Sequence, residues 1–307
     1  MRVIQPVELI SGAALTSSTI PEPDTAAGEV TWTAGTYNTG TQRILTTTHL
    51  IYEVVASPST TDAPDVGAAK DVPTWIVVGY TNRYRMFDGV VGSASNETSA
   101  PLTVAVTPGR IATAVAAFNM TGVSEVTIQM NDPTEGVVYS ETVNLQDNSS
   151  VVDWYQYFFA PIVTRSEFVV MDMPSYSQAT ISVSFDGDTS VSVGTMVMGQ
   201  QLTLGVACYG TSIQLLDFSR KERDDFGNFI IVPRRTAKLV DFDIRIDKGR
   251  IGYVMRNLSA LTTIPCVWVG TDESDDDTIV YGYYKNYINT IDGPVKCSAT
   301  LQIEGLI

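Results

Sequence analysis

The stretch PLTVAVTPGRIATAVAAFNMTGVSEVTIQMNDPTEGVVYS, residues 101–140, decides the fold class. Short runs of Val, Ile, Thr and Ala stop at Pro108-Gly109 and at Asp132-Pro133, which carry turn chemistry. Apolar runs this short, bounded this way, read as strands rather than helices. Strands are predicted at 102–106, 112–120, 125–130 and 137–145. The rhythm continues with strands expected at 154–159, 168–173, 179–185 and 191–198. Asp147-Asn148, Pro174 and Asp186-Gly187-Asp188 punctuate them. Short strands spaced about 8–12 residues apart imply a β-sandwich or jelly roll, here over 75–200.

The flanks read differently. Residues 1–27 hold one short apolar run and then SSTIPEPDTAAG (17–28), which predicts an extended N-terminal arm. Residues 28–74 form a small β unit, where Trp32, Gly35, Tyr37 and Gly40 precede a Thr/Ile-rich hairpin. A polar loop covers 57–73, then a strand at 75–79 and a basic-aromatic segment at 81–87. In LLDFSRKERDDFGNFIIVPRR (215–235) a charged block sits between apolar stretches. VDFDIRI (240–246) alternates as a half-buried strand does. Ile251, Val254, Met255 and Leu258 recur at helical spacing. IPCVWVG (264–270), TIVYGYYKNYI (278–288) and VKCSATLQIEGLI (295–307) add strands, so 201–307 reads as a small α+β domain. The fold class is thus mainly β with an α+β C-terminal domain.

Charge and composition exclude several functions. The formal net charge is −15 although only 17% of residues are charged, so the chain is acidic through a shortage of bases. A field of this sign repels phosphate, which argues against nucleic acid and anionic membrane surfaces as partners. No apolar run approaches the roughly 18 residues of a membrane span, and the N-terminus lacks the apolar core of a signal peptide. Cys208, Cys266 and Cys297 are dispersed, match no metal-ligand spacing and read as buried free thiols. His49 is the sole histidine, so a multi-histidine metal site within one chain is excluded; in its β-branched run it reads as a strand histidine. The loop TDESDDDT (271–278) starts like a calcium loop but has Asp277 and Tyr283 where Gly and Glu are required, so it reads as a solvated acidic turn. No glycine-rich phosphate cradle is present, and no motif singles out a carboxylate pair for glycoside hydrolysis. The expectation is a non-enzyme without cofactor or metal.

Two constellations remain. Asp217, Arg220, Lys221, Glu222, Arg223, Asp224 and Asp225 concentrate charge in a charge-poor chain. They read either as a surface ion network or as a subunit contact that sets register. Trp32 and Tyr37 either offer flat faces to a sugar ring or fill a small core.

The segment WTAGTYNTGTQRILTTTHLIYEVVAS (32–57) resembles the short carbohydrate-binding modules of chitinases, with matches at Trp32, Gly35, Tyr37, Gly40 and Tyr52. The whole chain is similar to a family of tailed-bacteriophage virion proteins. The similarity is carried by PEPD (21–24), TNRYRMFDG (81–89), DWYQYFFAP (153–161), LLDFSRKERDDFGN (215–228), VYGYYKNYINTI (280–291) and QIEGL (302–306). The MFDG turn also resembles the start of discoidin-type, galactose-binding-like jelly rolls. These resemblances imply a structural component of the tail tip, hub or baseplate, located in the virion and assembled as a ring or trimer with other tail proteins. The alternative they imply is adhesion to a host-surface glycan through Trp32, Tyr37, Tyr52 and Tyr84. Neither role involves nucleic acid or membrane insertion.

Overall fold

The computed structural model describes residues 1–306 apart from 11–13, 148, 150, 162, 224–226 and 272–277. Strands account for 51% and helix for 9%, so the fold is mainly β, built on a curled antiparallel sheet.

That sheet has ten strands. Its order is Phe168–Val170, Ala114–Phe118, Thr195–Thr203, Arg2–Pro6, Cys266–Val269, Ile279–Thr290, Lys296–Gly305, Thr236–Asp247 and Val206–Ala207. Ser212–Asp217 also pairs with Thr236–Asp247. The segment expected to be an arm therefore supplies an interior strand. Arg2–Pro6 pairs with 199–203 on one edge and with 267–269 on the other. Val3 and Ile4 are both fully buried and point into different cores. A strand covered on both faces shows no alternation, and a two-residue apolar run is too short to announce one. The strand Thr195–Thr203 runs straight through the position where a domain boundary was expected, at 200.

A second sheet has six strands, ordered Gly136–Asn144, Thr121–Asp132, Thr180–Val193, Leu102–Val106 and Leu15–Ser18, with Ser95–Glu97 paired to Thr180–Val193. Its Val104, Ile128, Val183 and Phe185 share a core with Val115, Phe168, Met196 and Met198 of the large sheet. Over the other half of the large sheet, the helix Ile251–Ala260 places Val254 and Leu258 in a cluster with Phe242, Trp268 and Leu301. Burying such side chains contributes about 1.5–3 kcal/mol each. Ile4, Ala116, Phe118, Val267 and Tyr281 fill the reverse face of the curl. Curling brings distant strands together: Lys238 Nζ lies 3.2 Å from Glu167 Oε1.

Two predicted elements change character. The stretch 154–159 is a helix, Trp154–Phe159, rather than a strand. Asp153 caps it, accepting the Gln156 N–H at 2.7 Å. Asp186-Gly187-Asp188 is not a turn but part of the continuous strand Thr180–Val193. Bulges opposite 121–125 absorb the extra residues. A Cβ on Gly187 would lie 2.0 Å from the Gly122 carbonyl oxygen, so glycine is there for close backbone approach.

The small N-terminal unit holds a three-stranded sheet of Gln42–Leu45, Leu50–Val54 and Trp75–Tyr80, the last an edge strand. Tyr52, Val54 and Trp75 form its core. Of the cysteines, Cys266 and Cys297 are buried as expected, whereas Cys208 is partly exposed, just past the marginal strand Val206–Ala207. Burial pushes the Cys266 thiol up to about 12.

The insertion of the N-terminal strand is testable at Gly199. A Cβ there would sit 1.8 Å from the Gln5 carbonyl oxygen. Gly199→Ala should cost about 1–3 kcal/mol by overpacking. In urea titration the midpoint should fall at unchanged slope; an unmoved midpoint would refute the close approach.

Candidate functional site

The charged block lies on a projecting β-ribbon. Ser212–Asp217 pairs with 236–241 in the large sheet, from Ser212 opposite Asp241 to Asp217 opposite Thr236. Beyond that point Arg220–Arg223 pairs with Phe229–Val232, from Arg220 opposite Val232 to Arg223 opposite Phe229. Pro233 interrupts the ladder because it lacks a donor, and Ser219 Oγ accepts the Arg234 N–H at 3.1 Å across the gap. Every residue of Arg220–Arg223 and Phe229–Val232 is exposed. Phe229, Ile230, Ile231 and Val232 are each about half exposed, 45–56%. Successive strand residues point to opposite faces, so this strand bares apolar side chains on both. Such strands normally lie buried on both faces, and a lone two-stranded hairpin is marginal in water. The ribbon therefore has the composition of an element that another surface covers.

Its charges are partly satisfied within the ribbon. Lys221 Nζ is 2.6 Å from Asp217 Oδ2, and Arg220 Nε is 2.6 Å from Glu222 Oε1. Arg223, Arg234 and Arg235 have no carboxylate partner among the described residues. Asp224 and Asp225 lie outside the described residues. Exposed ion pairs add little stability, so these pairs chiefly fix side-chain direction. The hydrogen bond from Lys221, helped by Ser219, holds the Asp217 carboxyl well below the usual carboxylate range. Arg234 and Arg235 border an open groove of about 670 Å³, lined also by Asn119, Ser166, Ser192 and Leu306.

A second exposed feature is the helix Trp154–Phe159. Gln146–Asp147 pairs with Val163–Thr164 below it and closes its base. None of its residues is buried, and Trp154 is 79% exposed.

The expected sugar-binding aromatics are mostly engaged inside the fold. Tyr52 is 3% exposed and belongs to the small-unit core. Tyr84 is 5% exposed and stacks on His49, with ring centroids 3.9 Å apart. Neither ring has a face free for a sugar, which corrects both assignments. Trp32 and Tyr37 are half-buried. The Tyr37 ring meets Trp75 edge-on at 5.7 Å, Arg43 lies 4.9 Å from its centroid, and its hydroxyl donates to Thr33 O at 2.7 Å.

His49 occupies a turn with φ 59°, not a strand. Its Nδ1 lies 2.9 Å from Glu22 Oε2, and Thr81 Oγ1 donates to Glu22 Oε1 at 2.9 Å. Asn82 Nδ2 donates to Asp24 Oδ2 at 2.7 Å, and its backbone N–H donates to Glu29 Oε1 at 2.6 Å. The motifs PEPD and TNRYRMFDG thus meet in one buried polar junction. Here the ring of His49 orients a carboxylate and stacks on Tyr84. Among the described residues no group of His, Cys, Asp and Glu could hold a metal. The acidic residues 272–277 lie outside the described residues.

Set against known proteins, the chain matches no family model and no curated sequence. Its function is therefore argued from its own surfaces. The sequence reading placed charge at 217–225 but missed that FIIV (229–232) is an exposed apolar strand. The available signal was four consecutive apolar residues directly after that block.

The Asp217–Lys221 contact gives a pH test. Because the folded carboxyl is held below its ordinary value, the pair is intact above the usual Asp range and persists as pH falls through it. It breaks only in stronger acid. Carboxyl NMR titration should show Asp217 protonating later than an ordinary Asp, and Lys221→Ala should move it back up. Identical curves for the two proteins would mean the pair does not form.

Proposed function

We propose that the chain is a structural component of a bacteriophage tail, at the tip, hub or baseplate. On this reading it resides in the virion, assembles as a ring or trimer, and connects the tail to fibres or to the receptor-binding apparatus. The observation that carries it is the β-ribbon whose apolar strand Phe229–Val232 is bare on both faces. Surfaces of this kind belong to partners rather than to solvent. The end-to-end sequence resemblance supports the same reading, and two of its motifs fall on exposed features: LLDFSRKERDDFGN on the ribbon and DWYQYFFAP on the aromatic helix. A galactose-binding-like β-sandwich over 75–200 and an α+β unit over 201–307 belong to this proposal. The shared core of the two sheets supports the first, and the helix laid on the C-terminal strands supports the second. The partners are copies of the chain and other tail proteins, without nucleic acid, membrane insertion, cofactor or catalysis.

Adhesion to a host-surface glycan is the second reading, favoured by the half-exposed Trp32 and Tyr37. Burial of Tyr52 and Tyr84, and Arg43 over the Tyr37 ring, weigh against it.

Light scattering separates the two. The purified chain should have a mass that is a multiple of 33.3 kDa. Replacing 219–233 with a short Asn-Gly turn, which keeps the 212–217 ladder, should reduce it to one chain. A wild-type protein that stays monomeric at every concentration would overturn the assembly role. Signal on a glycan array that disappears in Trp32→Ala would establish the adhesion role instead.

A further inference from the structure

Among the described strands, two combine a run of exposed apolar residues with a free backbone edge. One is Phe229–Val232 on the ribbon, which belongs to a two-stranded sheet. The other is Trp75–Tyr80, at the edge of the small unit's sheet, where Ile76, Val77 and Val78 are 44–52% exposed. Ile76 and Val77 point to opposite faces, so this strand too is bare on both sides. Each edge presents unpaired N–H and C=O groups, the template for adding a further strand. Four residues of strand span about 13 Å, and the three bare residues Ile76, Val77 and Val78 about 10 Å, so the two edges are of similar length.

Charge distinguishes the two surfaces. Around the ribbon strand, Arg223, Arg234 and Arg235 lack carboxylate partners among the described residues. In the small unit, the acids Glu29, Glu53, Asp62, Asp65 and Asp71 outnumber the bases Arg43 and Lys70. Lys70 is already taken by Asp62, at 2.7 Å. Asp65 and Asp71 are exposed and have no cationic partner among the described residues. Two small units would repel each other, whereas the ribbon over 217–235 holds five bases against four acids and can meet a small unit's excess of acids with Arg223, Arg234 and Arg235. A ribbon and a small unit attract.

We propose that the Phe229–Val232 strand of one copy adds to the Trp75–Tyr80 edge of the next copy, extending its three-stranded sheet. The inference rests on the assembly reading above and names the two faces that meet. Backbone hydrogen bonds would supply affinity, and the apolar side chains on both faces would supply fit. Because the faces differ, the contact is head-to-tail. Such contacts generate rings when the rotation closes, whereas a self-complementary face gives a two-fold dimer.

The test uses Val77→Lys and Ile231→Glu, each placing a charge at a position about half exposed. Thermal melts should match wild type. By light scattering, each variant alone should assemble about tenfold more weakly or not at all. An equimolar mixture should form at least one-to-one pairs, because the intact ribbon of Val77→Lys meets the intact edge of Ile231→Glu. Two further single variants, Val77→Cys and Ile231→Cys, should give a disulfide-linked dimer on oxidation when mixed and not when separate. This arm reports the contact even if a charged variant folds poorly. Wild-type assembly that persists in Val77→Lys, or a mixture that stays monomeric and uncrosslinked, would overturn this inference and leave the assembly reading standing. A wild-type monomer would overturn both.

Discussion

The rest of the molecule hangs on one insertion: Arg2–Pro6 between Thr195–Thr203 and Cys266–Val269. These neighbours are far apart in sequence, and the strand supplies both with backbone partners at once. Without it, the large sheet would fall into a half built from 114–203 and a half built from 206–305. Ile4 serves the core inside the curl, and Val3 serves the core under the helix. The seam is reinforced outside the ladder. Arg2 Nη1 is 2.6 Å from Asp172 Oδ2, and Gln201 Nε2 donates to Asp172 Oδ1 at 2.5 Å. Those bonds, from Gln201 first and then Arg2, hold the Asp172 carboxyl low. A sheet joined this way depends on non-local contacts, since residues 2–6 pair with 199–203 and with 267–269.

That constraint explains which parts of the fold were legible in the sequence. Strands covered on one face keep a period of two, so 102–106, 125–130 and 240–246 read correctly from alternation and β-branched content. The helix around Val254 and Leu258 read correctly because its buried stripe has helical spacing. Arg2–Pro6 did not, because burial on both faces erases the pattern. The aromatic run 154–159 misled because bulky β-formers carry no period there, and the Asp153 cap decided for helix. Asp186-Gly187-Asp188 has turn composition, yet its glycine serves a bulged crossing of two backbones, a demand that arises only from the partner strand.

The candidate sites show a similar division. Residue type correctly marked 217–223 as a place where charge is concentrated, but charge is only half of that surface. Lys221 is consumed by Asp217 at the end of the preceding strand and Arg220 by Glu222 on its own, while the apolar strand opposite has no cover. Tyr52 and Tyr84 are buried for another reason. A small three-stranded unit has few residues with which to build an interior, so it uses its rings for packing: Tyr52 beside Val54 and Trp75, and Tyr37 against Trp75. Motif spacing reports where an aromatic sits in the chain, not which of its faces remains open.

The root of the ribbon has a mechanical consequence. Its returning strand leads through residues 233–235 into Thr236–Asp247, which lies between Ser212–Asp217 and Lys296–Gly305. The ladder to Lys296–Gly305 runs from Leu239 opposite Glu304 to Asp247 opposite Lys296. Those hydrogen bonds lie perpendicular to the strands. Tension along the ribbon axis would therefore load the whole ladder in shear, so its bonds must yield together rather than unzip singly. The Lys238–Glu167 contact sits at the point where the load enters and ties it to the opposite side of the curl. A part pulled through its ribbon would carry the force across its full width before any single strand could peel away.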